Sequence, residues 1–151
     1  MTANPVTLRG DDTVAQAAET LMSRRFIILP VVDGDGRYLG LFGVFELVSL
    51  LLPKAATINR LIPDLGFMAD NLPALQEKFA EFKDEPIKTH LRSNLPVLRP
   101  DTTVVEALLL FVRERSTLPV VDAASGRLLG VLSYWDALAS ITGSTPPQAG
   151  R

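Results

Sequence analysis

The chain contains no cysteine, which excludes disulfides, thiolate metal sites and cysteine nucleophiles. It contains one histidine, His90, in the segment Ile87 to Leu91, which reads as a short amphipathic lead-in where a structural or solvent-exposed role is expected. No Ser-His-Asp set and no clustered metal ligands accompany it, so no catalytic and no metal-ligating residue is assigned and the chain reads as no enzyme. Runs of basic residues are also absent, and the net charge is −2. Nucleic acid is therefore not an expected partner, because neutralising phosphates takes clustered Lys and Arg. Long apolar runs are lacking too: the longest, Leu39 to Leu52, is broken by Gly43 and Glu46 and is too short to span a bilayer. The opening MTANPVTLRGDD has no basic stretch followed by an apolar one, so a soluble, cytoplasmic protein without membrane insertion is expected.

The remainder of the composition is that of a folded domain. Hydrophobic residues make up 47 % and charged residues 21 % of 151 positions, which argues against disorder. A chain of this size buries roughly 68–70 % of its unfolded surface and forms one domain or a tight pair of half-domains.

The dominant feature is a repeat. Asn4 to Arg9 reads as a short extended run. Thr13-Val-Ala-Gln16 is a capping box with Thr13 as N-cap. Val14, Ala17, Ala18, Leu21 and Met22 then form the apolar stripe of a surface helix, and Arg24-Arg25 at its end suit the helix dipole. Phe26 to Asp33 reads as a buried strand, Gly34-Asp-Gly36 as a hairpin turn, Tyr38 to Phe42 as the returning strand, and Val44 to Leu52 as a helix stopped by Pro53. Gly36 and Gly40 recur as Gly126 and Gly130, a shift of 90 (126−36, 130−40). At the same shift Asn94, Leu98, Arg99, Asp101, Thr103, Val104 and Ala107 match Asn4, Leu8, Arg9, Asp11, Thr13, Val14 and Ala17. Thr103-x-x-Glu106 restores the capping box, and Val104, Ala107, Leu108, Phe111 and Val112 restore the stripe. Pro30-Val-Val-Asp33 recurs as Pro119-Val-Val-Asp122 at a shift of 89 (119−30). The expected fold class is α+β, two β-α-β-β-α repeats, each needing the other to cover its sheet. The expected domains are residues 1–53, a helical connector 54–93, a second repeat 94–142 and a flexible tail 143–151. In the connector Asn71 is a candidate N-cap, and Leu72, Leu75, Phe79 and Phe82 make an amphipathic face that either packs on its own protein or docks a partner.

Ser133-Tyr-Trp-Asp136, where the last strand gives way to a helix, admits two readings. It is a capping box, Ser133 capping and Asp136 reaching back. It also places a hydroxyl and a carboxylate on one helix face, where the carboxylate can accept both hydroxyls of a ribose. Trp135 and Tyr134 read as packing residues rather than base-stacking ones. A dinucleotide reading of Gly34 to Gly40 fails, because the third glycine is one position late and the turn joins two strands.

With its paired PVVD strands, its GRYLG and GRLLG turns and its Gly130-Val-Leu-Ser-x-x-Asp136 segment, the chain resembles the CBS-domain family, named after cystathionine β-synthase. The resemblance implies the two repeats packed as a CBS-domain pair, or Bateman module, with a helical insertion between them. It further implies a regulatory module that binds an adenosyl compound (AMP, ADP, ATP or similar) between the repeats, pairs into a homodimer and signals to a regulated partner protein. No further cofactor is implied. The alternative is a structural dimerisation module with a vestigial cleft. Carried onto this chain, the family pattern gives Asp136 the ribose hydroxyls, Ser133 the ribose or phosphate side, and Val131 the base pocket. The slot is completed by Asn4, Val6, Ile27 and Ile28 of the other repeat. Ser116 and Thr117 stand where phosphate is met in the family; the basic residue common there is lacking. The first repeat has Gly43 and Glu46 at the places of Ser133 and Asp136, so one ligand per chain is expected, beside Asp136.

Overall fold

The structure, a computed structural model, describes residues 1–52 and 72–146. The Asn71 cap, the Pro53 stop, residues 53–71 of the connector and residues 147–151 of the tail lie outside the described residues. The elements are β1 (Thr2–Ala3), β2 (Leu8–Arg9), α1 (Val14–Arg24), β3 (Ile28–Val32), β4 (Tyr38–Gly43), α2 (Val44–Leu51), α3 (Leu72–Phe82), a single 3-10 turn (Ile87–Thr89), α4 (Val104–Glu114), β5 (Leu118–Val121), β6 (Leu128–Leu132) and α5 (Tyr134–Thr142). The chain is α+β, with two three-stranded sheets ordered β2-β3-β4 and β1-β6-β5.

The first extended run is not one strand. Asn4 adopts a left-handed conformation (φ 52°), which an asparagine tolerates, and Pro5 follows without an N–H to donate to a ladder. The run is therefore cut in two. Leu8 pairs in parallel with Val31 of its own repeat, while Thr2 pairs antiparallel with Val131 of the other. The second repeat does the same through single bridges, Leu98 to Val120 and Arg92 to Leu41. Gly130 makes the β1 crossing feasible, since a Cβ there would stand 2.7 Å from the Thr2 carbonyl oxygen. The hairpins also bond to each other reciprocally: Tyr38 N–H donates to Gly126 O and Leu128 N–H to Gly36 O, each at 3.0 Å. Within the turns the Arg37 and Asp35 amides hold the Asp33 carboxyl below its ordinary range, and Ser125 does so for Asp122.

All three expected capping boxes form, at Thr13–Gln16, Thr103–Glu106 and Ser133–Asp136. The two helical stripes fare differently. On α1, Val14, Ala17 and Leu21 are buried with Leu8, Leu29, Val31, Phe42 and Ile87, whereas Met22, expected on the stripe, is exposed. On α4 no residue is buried: Val104 is 66 % exposed, against 1 % for its counterpart Val14. The cause is the connector. Val14 N–H and Ala15 N–H donate to Glu85 O and Lys83 O, and Ile87 and Phe79 close over the first core. Among the described residues no such segment covers α4. His90 lies in this segment as an anchoring residue, its Nε2 2.8 Å from Glu85 Oε2.

Candidate functional site

A cleft of about 1110 Å³ opens between the repeats. One wall is the chain around Asn4 and the strand entry Phe26 to Pro30; the other is Val131, Ser133, Tyr134 and Trp135, with Thr117 between. Seven of the nine residues expected from the sequence line it: Asn4, Val6, Ile27, Ile28, Thr117, Val131 and Ser133. The apolar wall lies at the strand entry. Leu29 to Val32 of β3 are buried and Ile28 is half-buried, whereas Ile27, just before the strand, is 55 % exposed and faces the opening.

Asp136 is not on the cleft surface. It is 4 % exposed, and its carboxylate is satisfied by the chain. Oδ2 accepts from Ser133 N–H (2.9 Å), Ser133 Oγ (2.8 Å) and Thr2 Oγ1 (3.0 Å), while Oδ1 accepts from Thr2 Oγ1 at 3.1 Å and faces the Met1 ammonium at 3.9 Å. The capping reading of the Ser-x-x-Asp spacing is thus realised, and Asp136 stands directly behind Ser133 with Thr2 beside it. Ser116 is 2 % exposed, with its hydroxyl donated to Thr117 O, and is not among the lining residues.

Several lining residues were not anticipated as site residues: Thr2, Pro5, Arg24, Arg25, Tyr134 and Trp135. Tyr134 is fixed by its hydroxyl bond to Arg115 O (3.0 Å) and its edge-on contact with Phe111. Trp135 is half-exposed at the rim. The signal for Arg24 and Arg25 is their place just ahead of the slot residues Ile27 and Ile28, although their position at a helix end also suits the dipole.

The corresponding positions of the first repeat are built differently. Gly43 makes no side-chain cap for α2, and its backbone lies against β3: a Cβ there would stand 2.2 Å from Ile27 O. Arg92 occupies the place of Thr2 (92−2 = 90) and exchanges both ladder bonds with Leu41, at 2.8 and 2.9 Å. Burial raises the Glu46 carboxyl above its ordinary range, and the attraction of Arg92 only partly offsets this. Glu46 Oε1 and Tyr38 Oη are buried without a hydrogen-bond partner among the described residues, and burial pushes the Tyr38 phenol up to about 12. Among the described residues no group of three or more His, Cys, Asp or Glu could hold a metal, and no helix is long and apolar enough to cross a membrane.

Comparison with known proteins gives a consistent result. MJ1426 of Methanocaldococcus jannaschii, an uncharacterized protein, is 23 % identical over 145 residues, covering 91 % of this chain and 86 % of that one. The chloroplastic CBS domain-containing protein CBSX1 of Arabidopsis thaliana is 26 % identical over 125 residues, and the match spans only 52 % of its length. Among solved structures, the CBS-pair protein CBSX2 of Arabidopsis thaliana superposes with a TM-score of 0.73 at 20 % identity, covering 95 % of this chain and 91 % of that one. CBSX2 in complex with AMP gives 0.69 at 21 % identity, covering 95 % and 93 %. The family profile for the CBS domain matches residues 1–53 and again 87–143, so this chain belongs to the CBS-domain family.

Proposed function

We propose that the chain is a regulatory module that binds an adenosyl nucleotide in the cleft between its repeats, with no catalysis of its own. The observation that carries this reading is the cleft itself. Val6, Ile27, Ile28 and Val131 offer an apolar slot suited to a planar base, and Ser133, Thr2 and Asp136 gather hydroxyls and a carboxylate at one side, where a ribose would be met. The AMP complex of CBSX2, a protein of the same fold, supports the ligand class. A ribose reaching Asp136 takes the place of the Thr2 hydroxyl, the sole donor on Oδ1 apart from the chain start. That exchange removes the side-chain tie between β1 and Asp136 and leaves β1 held to β6 by a two-residue ladder alone, a loosening through which binding becomes a movement that a partner protein can read.

The test is calorimetry with adenosine, AMP, ADP and ATP on wild type, Asp136→Asn and Ser133→Ala. Charge-assisted hydrogen bonds predict an affinity loss on the order of ten- to a hundredfold for Asp136→Asn. Wild-type affinity in both folded variants removes Asp136 and Ser133 from the site.

A second reading has one specific observation in its favour. Asp136 Oδ2 already accepts three hydrogen bonds within the chain, two of them in the capping box, so the carboxylate needs no ligand to explain it. On that reading the module serves dimerisation. We propose the homodimer in either case: Phe45 (72 % exposed), Val44 and Val48 on α2, with Trp135, Leu138 and Ile141 (71 %) on α5, leave more apolar helix surface than a monomer keeps.

A further inference from the structure

The first repeat holds a segment of the connector across the start of α1, and the second repeat has the same surface with nothing on it among the described residues. On the first repeat the segment is extended and runs antiparallel to the approach to α1, with Thr13 bridged to Pro86. Four backbone bonds hold it. Val14 N–H donates to Glu85 O and Ala15 N–H to Lys83 O, each at 3.0 Å, while Ile87 N–H donates to Asp12 O (2.9 Å) and Lys88 N–H to Gly10 O (3.0 Å). Ile87 is fully buried in the cluster that contains Val14 and Ala17, and Lys88 Nζ lies 2.9 Å from Asp11 Oδ1.

The second repeat rebuilds this surface position by position at a shift of 90 (101−11, 103−13). Thr103 is an N-cap with the backbone of Thr13 (φ −68°, ψ 154° against φ −75°, ψ 159°), and each closes a capping box. The loop before the helix repeats too. Thr102 N–H donates to Arg99 O as Asp12 N–H does to Arg9 O, both at 3.0 Å. Arg99 N–H donates to Thr102 Oγ1 as Arg9 N–H does to Asp12 Oδ2, both at 2.9 Å. Asp101 stands in the place of Asp11. Yet among the described residues the Val104 and Val105 N–H groups and the Pro100 and Thr102 carbonyls have no partner, and Val104 is 66 % exposed where Val14 is 1 %. One position differs. Pro100 replaces Gly10 and keeps the carbonyl acceptor; a Cβ on Gly10 would lie 3.3 Å from Lys88 Cβ, so an incoming chain gives way there by a few tenths of an ångström.

Unpaired backbone donors and acceptors beside an exposed aliphatic residue are what an added extended segment satisfies, main-chain bonds giving affinity and side-chain slots giving choice. We propose that the start of α4 is a docking surface for an extended segment of a partner protein, carrying a proline, an aliphatic residue and a basic residue in succession, as in Pro86-Ile-Lys88. The proline holds the backbone extended before contact, as Pro86 does at φ −69° and ψ 138°. The aliphatic side chain covers Val104 and Ala107, the counterparts of Val14 and Ala17, and the basic one meets Asp101. None of these residues lines the nucleotide cleft, so the assignment stands or falls independently of the nucleotide reading.

The probe is the peptide Lys-Asp-Glu-Pro-Ile-Lys-Thr-His-Leu, copied from residues 83–91, labelled at its N-terminus and titrated by fluorescence anisotropy with the full chain in the absence of nucleotide. The first repeat's surface is already held by its own segment, at an effective concentration on the order of millimolar, which leaves the second. The expected result is saturable binding of one peptide per chain. Val104→Lys, at an exposed position, should weaken it about ten- to a hundredfold, and Asp101→Lys about two- to fivefold at low salt. The peptide with aspartate in place of its isoleucine should not bind. No saturable binding up to about 1 mM peptide, or wild-type affinity in the folded Val104→Lys chain, overturns the proposal. Light scattering separates a partner from a second copy: if Val104→Lys lowers the mass found for wild type, another copy of this chain fills the surface and the partner assignment falls.

Discussion

Gly43→Ser restores to the first repeat the hydroxyl that the second has at Ser133, and the structure predicts that it damages the fold instead. A Cβ at position 43 would lie 2.2 Å from Ile27 O, 2.8 Å from Ile28 Cα and 2.9 Å from Ile28 Cβ. Two of these are backbone atoms, one just ahead of β3 and one on its first residue, which pairs in register with Gly43, so no side-chain rotation relieves the contact. The strands must part by roughly 1 Å, an overpacking that costs about 1–3 kcal/mol. The same separation strains the bond from Val44 N–H to Ile27 O, 2.9 Å long, worth about 1 kcal/mol. Against this a serine N-cap gains only a few tenths of a kcal/mol over glycine. The net loss is about 2–4 kcal/mol, or a melting point lower by roughly 4–16 °C for a chain of this size. Gly34→Ser is the control, because a Cβ at Gly34 meets nothing within 4 Å. Its effect should stay within about 0.5 kcal/mol. Thermal unfolding followed by circular dichroism decides the matter: if Gly43→Ser melts with Gly34→Ser and wild type, the close approach of Ile27 to Gly43 is refuted.

Glu46→Gln should be stabilising at neutral pH. The Glu46 carboxyl is raised in the folded chain, so its contribution is complete below the ordinary carboxylate range and is lost as pH rises through the folded value; the urea midpoints of variant and wild type should coincide at acid pH and separate above it. Coincidence at every pH would show that Glu46 is solvated. Tyr38→Phe removes a buried hydroxyl that has no partner among the described residues, so it should leave stability unchanged or raise it by up to about 1 kcal/mol, and a clear loss in denaturant unfolding would reveal a bond to Tyr38 Oη. Light scattering should give twice the mass of one chain, and Phe45→Glu with Trp135→Glu should halve it; a wild-type monomer at micromolar concentration would contradict the dimer.

Much of this architecture is legible in local sequence. The capping boxes, the PVVD strands and the glycine turns are short-range signals, and each formed where its residues stood. What escaped was long-range. Asn4 and Pro5 cut a run that reads as one strand, and only the opposite repeat's β6 explains where Thr2 goes. The α4 stripe has the spacing of a buried face, yet burial depends on a covering segment, which α1 receives from residues 83–87 and α4 does not among the described residues. At the site, the sequence led to the slot residues and to the Ser133–Asp136 pair. It did not reveal that Thr2 would bond the carboxylate, since the two lie at opposite ends of the chain, nor that Arg24 and Arg25 would reach the same cleft as Trp135.

A crystal of the full chain grown with AMP tests most directly the proposal that one adenosyl nucleotide binds per chain, beside Asp136. The expected density is one AMP per chain, its base between Val6, Ile27, Ile28 and Val131, its ribose on Asp136 in place of Thr2 Oγ1, and no AMP beside Glu46. Density for AMP at Glu46 alone, or equal occupancy of both positions, would contradict it.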